Sequence, residues 1–243
     1  MEIRYYKKKD VIETYADWER VFSAAKPKDW KVGRSAQSLA AFMMEKDGFR
    51  YVRSHVGKAI SKPIDEIEIE KVTVEGRVAF DNYNHSREHD LAVVARTKSN
   101  QTIFIGVEAK VDESFGSKTI KQYETAALKK NENSKVPARI KGLKEYYPEA
   151  STTEFEKLQY QLATATAGCL CARNEKNLDF DYYVFMVLVF KTSLYNEDKG
   201  EKNRNAFDSF IDAIKAEELG ESIYKSIVKE KPFIIIYKEI IME

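Results

Sequence analysis

The fold is decided by residues 102–112, which read TIFIGVEAKVD. A β-strand sends alternate side chains to opposite faces, so one face of this segment is expected to be wholly apolar. That face consists of Ile103, Ile105, Val107, Ala109 and Val111. The other face carries Glu108 and Lys110 at the end of a hydrophobic strand, where burying charged groups is costly. The cost indicates that these two side chains have a functional use.

A second strand, over residues 91–96, is predicted to form a hairpin with this segment, with its turn at residues 97–101. Asp90 stands at the start of the second strand, and residues 91–107, seventeen in all, separate it from Glu108. A hairpin with so short a turn can bring the two carboxylates close together. The sequence leaves the register open by a residue or two.

The remaining elements follow from hydrophobic periodicity. Helices are expected over residues 10–25, 35–46, 119–130, 153–173 and 206–216, and strands over residues 66–80, 182–191 and 232–241. Asp10 and Ser35 are expected to cap the first two helices, and Gly48 to end the second. This order describes a mixed α/β sheet flanked by helices. Because no linker or repeat divides the chain, residues 1–243 are expected to form one domain.

Two carboxylates and one adjacent backbone carbonyl would form a site of hard oxygen ligands. Asp90, Glu108 and the carbonyl of Ala109 are the predicted ligands, and they suit Mg²⁺ or, in its place, Mn²⁺. Such an ion polarises a phosphate and lowers the pKa of an attacking water. Lys110 would orient that water and offset phosphate charge. Phosphodiester cleavage needs such an ion.

The pattern of Asp90 followed by Glu108-Ala109-Lys110 at a strand end resembles the PD-(D/E)XK nuclease superfamily. The order helix, three strands, helix, strand is similar to the core of that superfamily, over about residues 35–191. The first helix and the last helix and strand would be extensions. The resemblance implies a restriction-endonuclease-like fold, metal binding by Asp90 and Glu108, a catalytic Lys110 and a possible homodimer. One departure is His89, which stands where the name of the superfamily has Pro.

Gln161 is a further predicted site residue, because many members of the superfamily supply a polar residue from the helix after the third strand. Within a helix over residues 153–173, Gln161 would share a face with Glu154, Lys157 and Thr164, opposite Leu158 and Leu162. It would reach the metal site or a phosphate. Ordinary solvation of that face is an equally good interpretation.

Three alternative interpretations remain open. An acidic residue also stands two before a lysine at residues 29–31 and 197–199, so Glu108 and Lys110 could form a simple surface ion pair. His85 and His89 could bind zinc if they lay on one helix, but the segment reads as a loop, which favours substrate contact or exposure. Residues 118–144 hold eight basic and two acidic side chains, which fits a solvated surface or a phosphate-contacting one.

The bulk composition sets further limits. The net charge of +1 does not by itself mark a nucleic-acid-binding protein. No apolar run is long enough to span a membrane, and the basic N-terminus lacks the apolar stretch of a signal peptide, so a cytoplasmic protein is expected. Cys169 and Cys171 are too few and too close for a disulfide framework and are expected to fill the core.

The function predicted first is that of a magnesium-dependent endonuclease acting on DNA. The resemblance alone implies its setting, which is prokaryotic defence, repair or mobile-element processing. A nucleic-acid-binding or assembly protein that keeps the fold without catalysis is the alternative from another class. An endoribonuclease is the second alternative.

Overall fold

A computed structural model of the chain describes residues 1–6 and 10–242. The strands within these ranges are β1 (Glu2–Tyr5), β2 (Ile67–Val78), β3 (Arg87–Thr97), β4 (Thr102–Lys110), β5 (Tyr182–Lys191), β6 (Glu217–Gly220), β7 (Ile223–Val228) and β8 (Lys231–Ile241). The α-helices are α1 (Tyr15–Ala25), α2 (Ser35–Glu45), α3 (Gly48–Ala59), α4 (Ile120–Lys130), α5 (Val136–Lys144), α6 (Thr152–Lys157), α7 (Tyr160–Leu170) and α8 (Glu197–Ala213).

One mixed sheet contains all of these strands, in the order β1-β2-β3-β4-β5-β8-β7-β6. Strands β2, β3 and β4 form an antiparallel meander, β5 is parallel to β4, and β8 is parallel to β5. Helices cover both faces of the sheet. The predicted mixed α/β architecture is therefore confirmed, with β7 and β6 extending the sheet beyond β8 through antiparallel pairings.

The core has two apolar layers, one on each face of the sheet. The alternate residues of β4 from Ile103 to Ala109, together with Val111, lie in the layer that holds Trp18 of α1 and Leu39 of α2. Phe104 lies in the other layer, which also contains buried residues of α7 and α8. The predicted apolar face of β4 is thus confirmed. β5 is buried on both sides, as its unbroken apolar run requires.

The predicted helix over residues 153–173 is wrong, because the chain breaks it into α6 and α7 at Leu158 and Gln159. Both residues have extended backbone, with ψ of 145° and 127°. The carbonyl of Leu158 accepts from the Ile120 amide at 2.9 Å, and the Tyr160 amide donates to the carbonyl of Lys118 at 3.1 Å. Bonds to this neighbouring segment replace the helical hydrogen bonds there, which turns α7 relative to α6.

Three local predictions at helix ends are also wrong. Thr14, not Asp10, caps α1, in a capping box with Asp17. Ser35 is the first residue of α2, and its predecessor Arg34 holds the cap position without a side-chain cap. Gly48 begins α3 rather than closing α2. No helix in the part of the chain that the structure describes is long and apolar enough to cross a bilayer.

Candidate active site

The candidate site lies where β3 and β4 separate. Their ladder ends with Leu91 opposite Val107. One step beyond it, the backbone amide of Ala109 donates to Oδ2 of Asp90 at 2.6 Å, so the carboxylate takes the place of a backbone partner. The hairpin therefore brings Asp90 next to the backbone between Glu108 and Lys110.

Glu108 is the centre of a buried network of charges. Its side chain is 3% exposed, and Lys110 Nζ lies 2.6 Å from its Oε1. Gln161 Nε2 donates to the same oxygen at 2.7 Å, while Arg87 forms an ion pair with Oε2. Burial raises the pKa of Glu108, but the charges of Lys110 and Arg87 outweigh it and hold that pKa below its ordinary value. Glu108 is therefore ionised and has both oxygens engaged.

Asp90 stands in the opposite electrostatic situation. Burial, followed by the negative charge of Glu108, raises the pKa of Asp90 to about 7, and Lys110 offsets this only in part. Lys110 itself keeps a raised pKa because the carboxylates of Glu108 and Asp90 outweigh its burial. The site thus contains one carboxylate satisfied by cations and one carboxyl group that lacks sufficient positive charge.

Glu75 of β2 adds a third carboxyl group that the sequence reasoning missed. Burial, followed by the charge of Asp90, raises the pKa of Glu75 to about 8, although Lys26 contacts it. Its backbone has a φ of 56°, which is uncommon for a residue with a side chain and frequent at functional sites. The sequence feature that could have pointed to Glu75 is the adjacent Gly76, because an isolated glycine in a strand often marks a backbone irregularity.

Tight packing of α7 on the sheet delivers Gln161 to Glu108. A Cβ atom on Gly106 of β4 would lie 2.7 Å from the His89 ring, and one on Gly168 of α7 would lie 2.5 Å from Cγ of Arg87. His89 fills the space between these glycines, and burial lowers its pKa to about 3. His89 is therefore a neutral core residue in a strand. His85 lies in the preceding loop, so the two imidazoles share no helix.

A large cavity of about 970 Å³ opens above these residues. Asp90, Lys110, Glu75 and Gln161 line it, together with Asp112, which follows β4. Three of the four predicted catalytic residues therefore face one space. The fourth, Glu108, lies directly behind Lys110 and Gln161, which it contacts.

Comparison with known proteins gives a family. A family model described as "Domain of unknown function (DUF6946)" matches residues 11–240. The chain belongs to this family. No curated protein and no solved structure matches it. The matched range contains every predicted site residue of this DUF6946 member, and also Glu75, Arg87 and Asp112.

The oxygen donors of the site fit a hard divalent cation in their chemistry. Asp90 and Glu108 supply carboxylates and Ala109 a carbonyl, and the raised pKa of Asp90 shows a lack of positive charge that such a cation would remedy. Within residues 1–6 and 10–242, no group of three or more acidic, histidine or cysteine side chains is arranged to hold a metal. Binding would therefore rest on these two side chains and the carbonyl.

The basic stretch of residues 118–144 is partly used inside the protein. Arg139 is 6% exposed and pairs with Asp81 through two nitrogens, at 2.7 and 2.9 Å. Lys121 pairs with Glu156, and Lys144 donates to the carbonyl of Tyr147. These three cations have structural partners, which weakens the interpretation of the whole stretch as a phosphate-contacting surface.

Proposed function

We propose that this protein is a metal-dependent nuclease of the PD-(D/E)XK kind, which hydrolyses phosphodiester bonds in DNA with Mg²⁺ or Mn²⁺. The observation that carries the proposal is the convergence of Asp90, Glu108 and Lys110 at the separating ends of β3 and β4. The sequence of an antiparallel meander, intervening helices and a parallel β5 supports a restriction-endonuclease-like core. Its setting would be prokaryotic defence, repair or mobile-element processing.

Each side chain has a role in this proposal. Asp90, Glu108 and the Ala109 carbonyl would hold the divalent cation, which supplies Lewis acidity and a more acidic water when bound. Lys110 would orient the attacking water and donate to the developing negative charge on the phosphate. Arg87 keeps Glu108 ionised, and Gln161 fixes the direction of its Oε1 by the 2.7 Å hydrogen bond.

A specific observation favours the second candidate, a nucleic-acid-binding or assembly protein without catalysis. Both oxygens of Glu108 already contact cationic or amide groups, with Arg87 on one and Lys110 and Gln161 on the other. In that case Arg87 and Lys110 stand permanently where a metal would act, and the ion network only stabilises the fold. The two candidates differ in whether turnover occurs.

Cleavage of supercoiled plasmid DNA with Mg²⁺, with Mn²⁺ and with EDTA tests the proposal. We expect the native chain to cut only with metal, and Asp90→Asn and Lys110→Met to lose at least about 10²-fold in rate. Asp212→Asn and Lys225→Met remove the same charges at exposed positions remote from the site and should cut normally. Equal cutting by the native chain and Lys110→Met would refute the assigned chemistry, and absence of cutting in every variant would favour the second candidate.

Two parallel measurements address the remaining proposals. Single-stranded RNA incubated under the same conditions separates an endoribonuclease from a DNA endonuclease. Sedimentation of the protein with and without DNA tests for a homodimer, which would let two sites cut two strands.

A further inference from the structure

The cavity above the candidate site has two basic walls. The loop between α1 and α2 contributes Lys26, Lys28, Lys31 and Arg34 to one wall, and α8 contributes Lys199 and Lys202 to the other. Asp29 is the acidic residue of these walls. The walls therefore carry more basic than acidic side chains, even though Lys26 is already paired with Glu75 and Glu88. This excess stands in a protein whose total net charge is only +1.

Asp112 joins the two walls at the bottom of the cavity. Its side chain is 3% exposed; Arg34 Nη1 lies 2.5 Å from its Oδ1 and Lys199 Nζ lies 3.4 Å from its Oδ2. One buried carboxylate thus holds two cations that come from opposite sides. The adjacent carbonyl of Glu113 accepts from Asn203 Nδ2 at 2.8 Å, which further fixes α8 against the end of β4.

This arrangement leaves the two cations able to bind an anion. The Arg34 and Lys199 side chains are 34% and 60% exposed, and an Arg guanidinium has five N–H donors while a Lys ammonium has three. Asp112 neutralises one of the two charges, so the trio keeps a net charge of +1. Lys28, Lys31 and Lys202 extend the positive charge along the exposed rim.

We infer that these walls form a clamp for the backbone phosphates of duplex DNA, in which Asp112 positions Arg34 and Lys199 on either side of the strand that meets Asp90 and Lys110. The inference rests on the proposed function for its substrate. The need for such a clamp is electrostatic: Lys110 and Arg87 are already paired with Glu108, so a phosphodiester that approaches Asp90 needs further cations to offset its charge. Asp112 is a positioning residue in this account.

Binding of a fluorescein-labelled DNA duplex in EDTA, followed by anisotropy at several salt concentrations, tests the clamp without requiring cleavage. Removing both cations in Arg34→Gln/Lys199→Gln should weaken binding about tenfold and lower the salt slope by about 2. The matched control is Lys176→Gln/Lys225→Gln, which removes two exposed cations remote from the cavity and should lower the slope by less than half as much.

Asp112→Asn gives the sharper result, because it removes a negative charge near the DNA. Nonspecific attraction predicts tighter binding for this variant, whereas a positioning role predicts weaker binding, by about threefold to tenfold. Because Asp112 is buried, circular dichroism is used to check that the Asp112→Asn variant folds. If that variant unfolds, the single variant Lys199→Gln, at an exposed position, provides a second test.

The clamp is overturned if the two double variants bind alike, if the native chain fails to bind the duplex in EDTA, or if single-stranded RNA competes better than the duplex. Failure of the proposed function is separate from these outcomes. A chain that binds through Arg34 and Lys199 but never cuts DNA with metal retains the clamp and loses the nuclease. A chain that cuts DNA with metal but binds the duplex independently of Arg34 and Lys199 retains the nuclease and loses the clamp.

Discussion

The raised pKa of Asp90 predicts that metal binding depends on pH. With a pKa of about 7, roughly one tenth of this carboxyl is ionised at about pH 6 and roughly nine tenths at about pH 8. A metal ion binds the ionised form, so its affinity should rise about tenfold over this interval, which equals about 1.4 kcal/mol. The stability of the metal-free protein changes in the opposite direction with pH. Between about pH 4 and pH 7 the folded state keeps a proton on Asp90 that the unfolded chain has released, so the folded state becomes less stable as the pH rises through this interval.

Thermal unfolding with and without Mg²⁺ at the two pH values measures this effect. At the higher pH, metal at about 100 times its dissociation constant stabilises the folded protein by about 2.7 kcal/mol. At the lower pH the dissociation constant is about tenfold larger, so the same metal concentration is only about ten times that value and stabilises by about 1.4 kcal/mol. For a chain of this length the difference is about 3–5 °C in Tm. Asp90→Asn should abolish the pH dependence and Asp212→Asn should keep it. An equal Tm shift at both pH values, or one that survives in Asp90→Asn, would refute the reasoning.

Two further predictions concern stability and are measured by urea unfolding. Gly168→Ala should destabilise the folded protein by about 1–3 kcal/mol, because the new Cβ would lie 2.5 Å from Cγ of Arg87. Gly142→Ala in α5 is the control: its Cβ would meet open space, so it should stabilise the fold by up to about 1 kcal/mol. Equal effects would contradict the tight packing of α7. Arg139→Gln should cost about 3 kcal/mol, since it removes the bidentate pair with Asp81; a loss below about 1 kcal/mol would show that this pair is not structural.

The fold class and the proximity of the carboxylates could be predicted because both follow from local pattern. Side chains in β4 alternate between its two faces, so Ile103 and Ile105 share one apolar layer whatever the position of β4 in the sheet. The short turn between β3 and β4, residues 98–101, constrains Asp90 and Glu108 to neighbouring strand ends. The pairing of Leu91 with Val107 then settles the register.

The surroundings of Glu108 could not be predicted in the same way. Gln161 was expected on the face of one long helix. Its actual direction follows from the break at Leu158 and Gln159, which depends on hydrogen bonds to Lys118 and Ile120, far earlier in the chain. Arg87 contacts Glu108 at a separation of 21 residues. Such contacts depend on how closely α7 approaches the sheet.

The sequence by itself determined the mixed α/β architecture, the buried face of β4 and the meeting of Asp90 with the Glu108 segment, because each follows from side-chain alternation and a short turn. Only the tertiary structure decided that Glu75 joins them and that Asp112 pairs with Arg34, 78 residues away. The physical reason is that periodicity reports which faces are buried, whereas ion pairs between distant elements depend on how the helices pack. The position of Glu75 depends on local irregular backbone, with a φ of 56°.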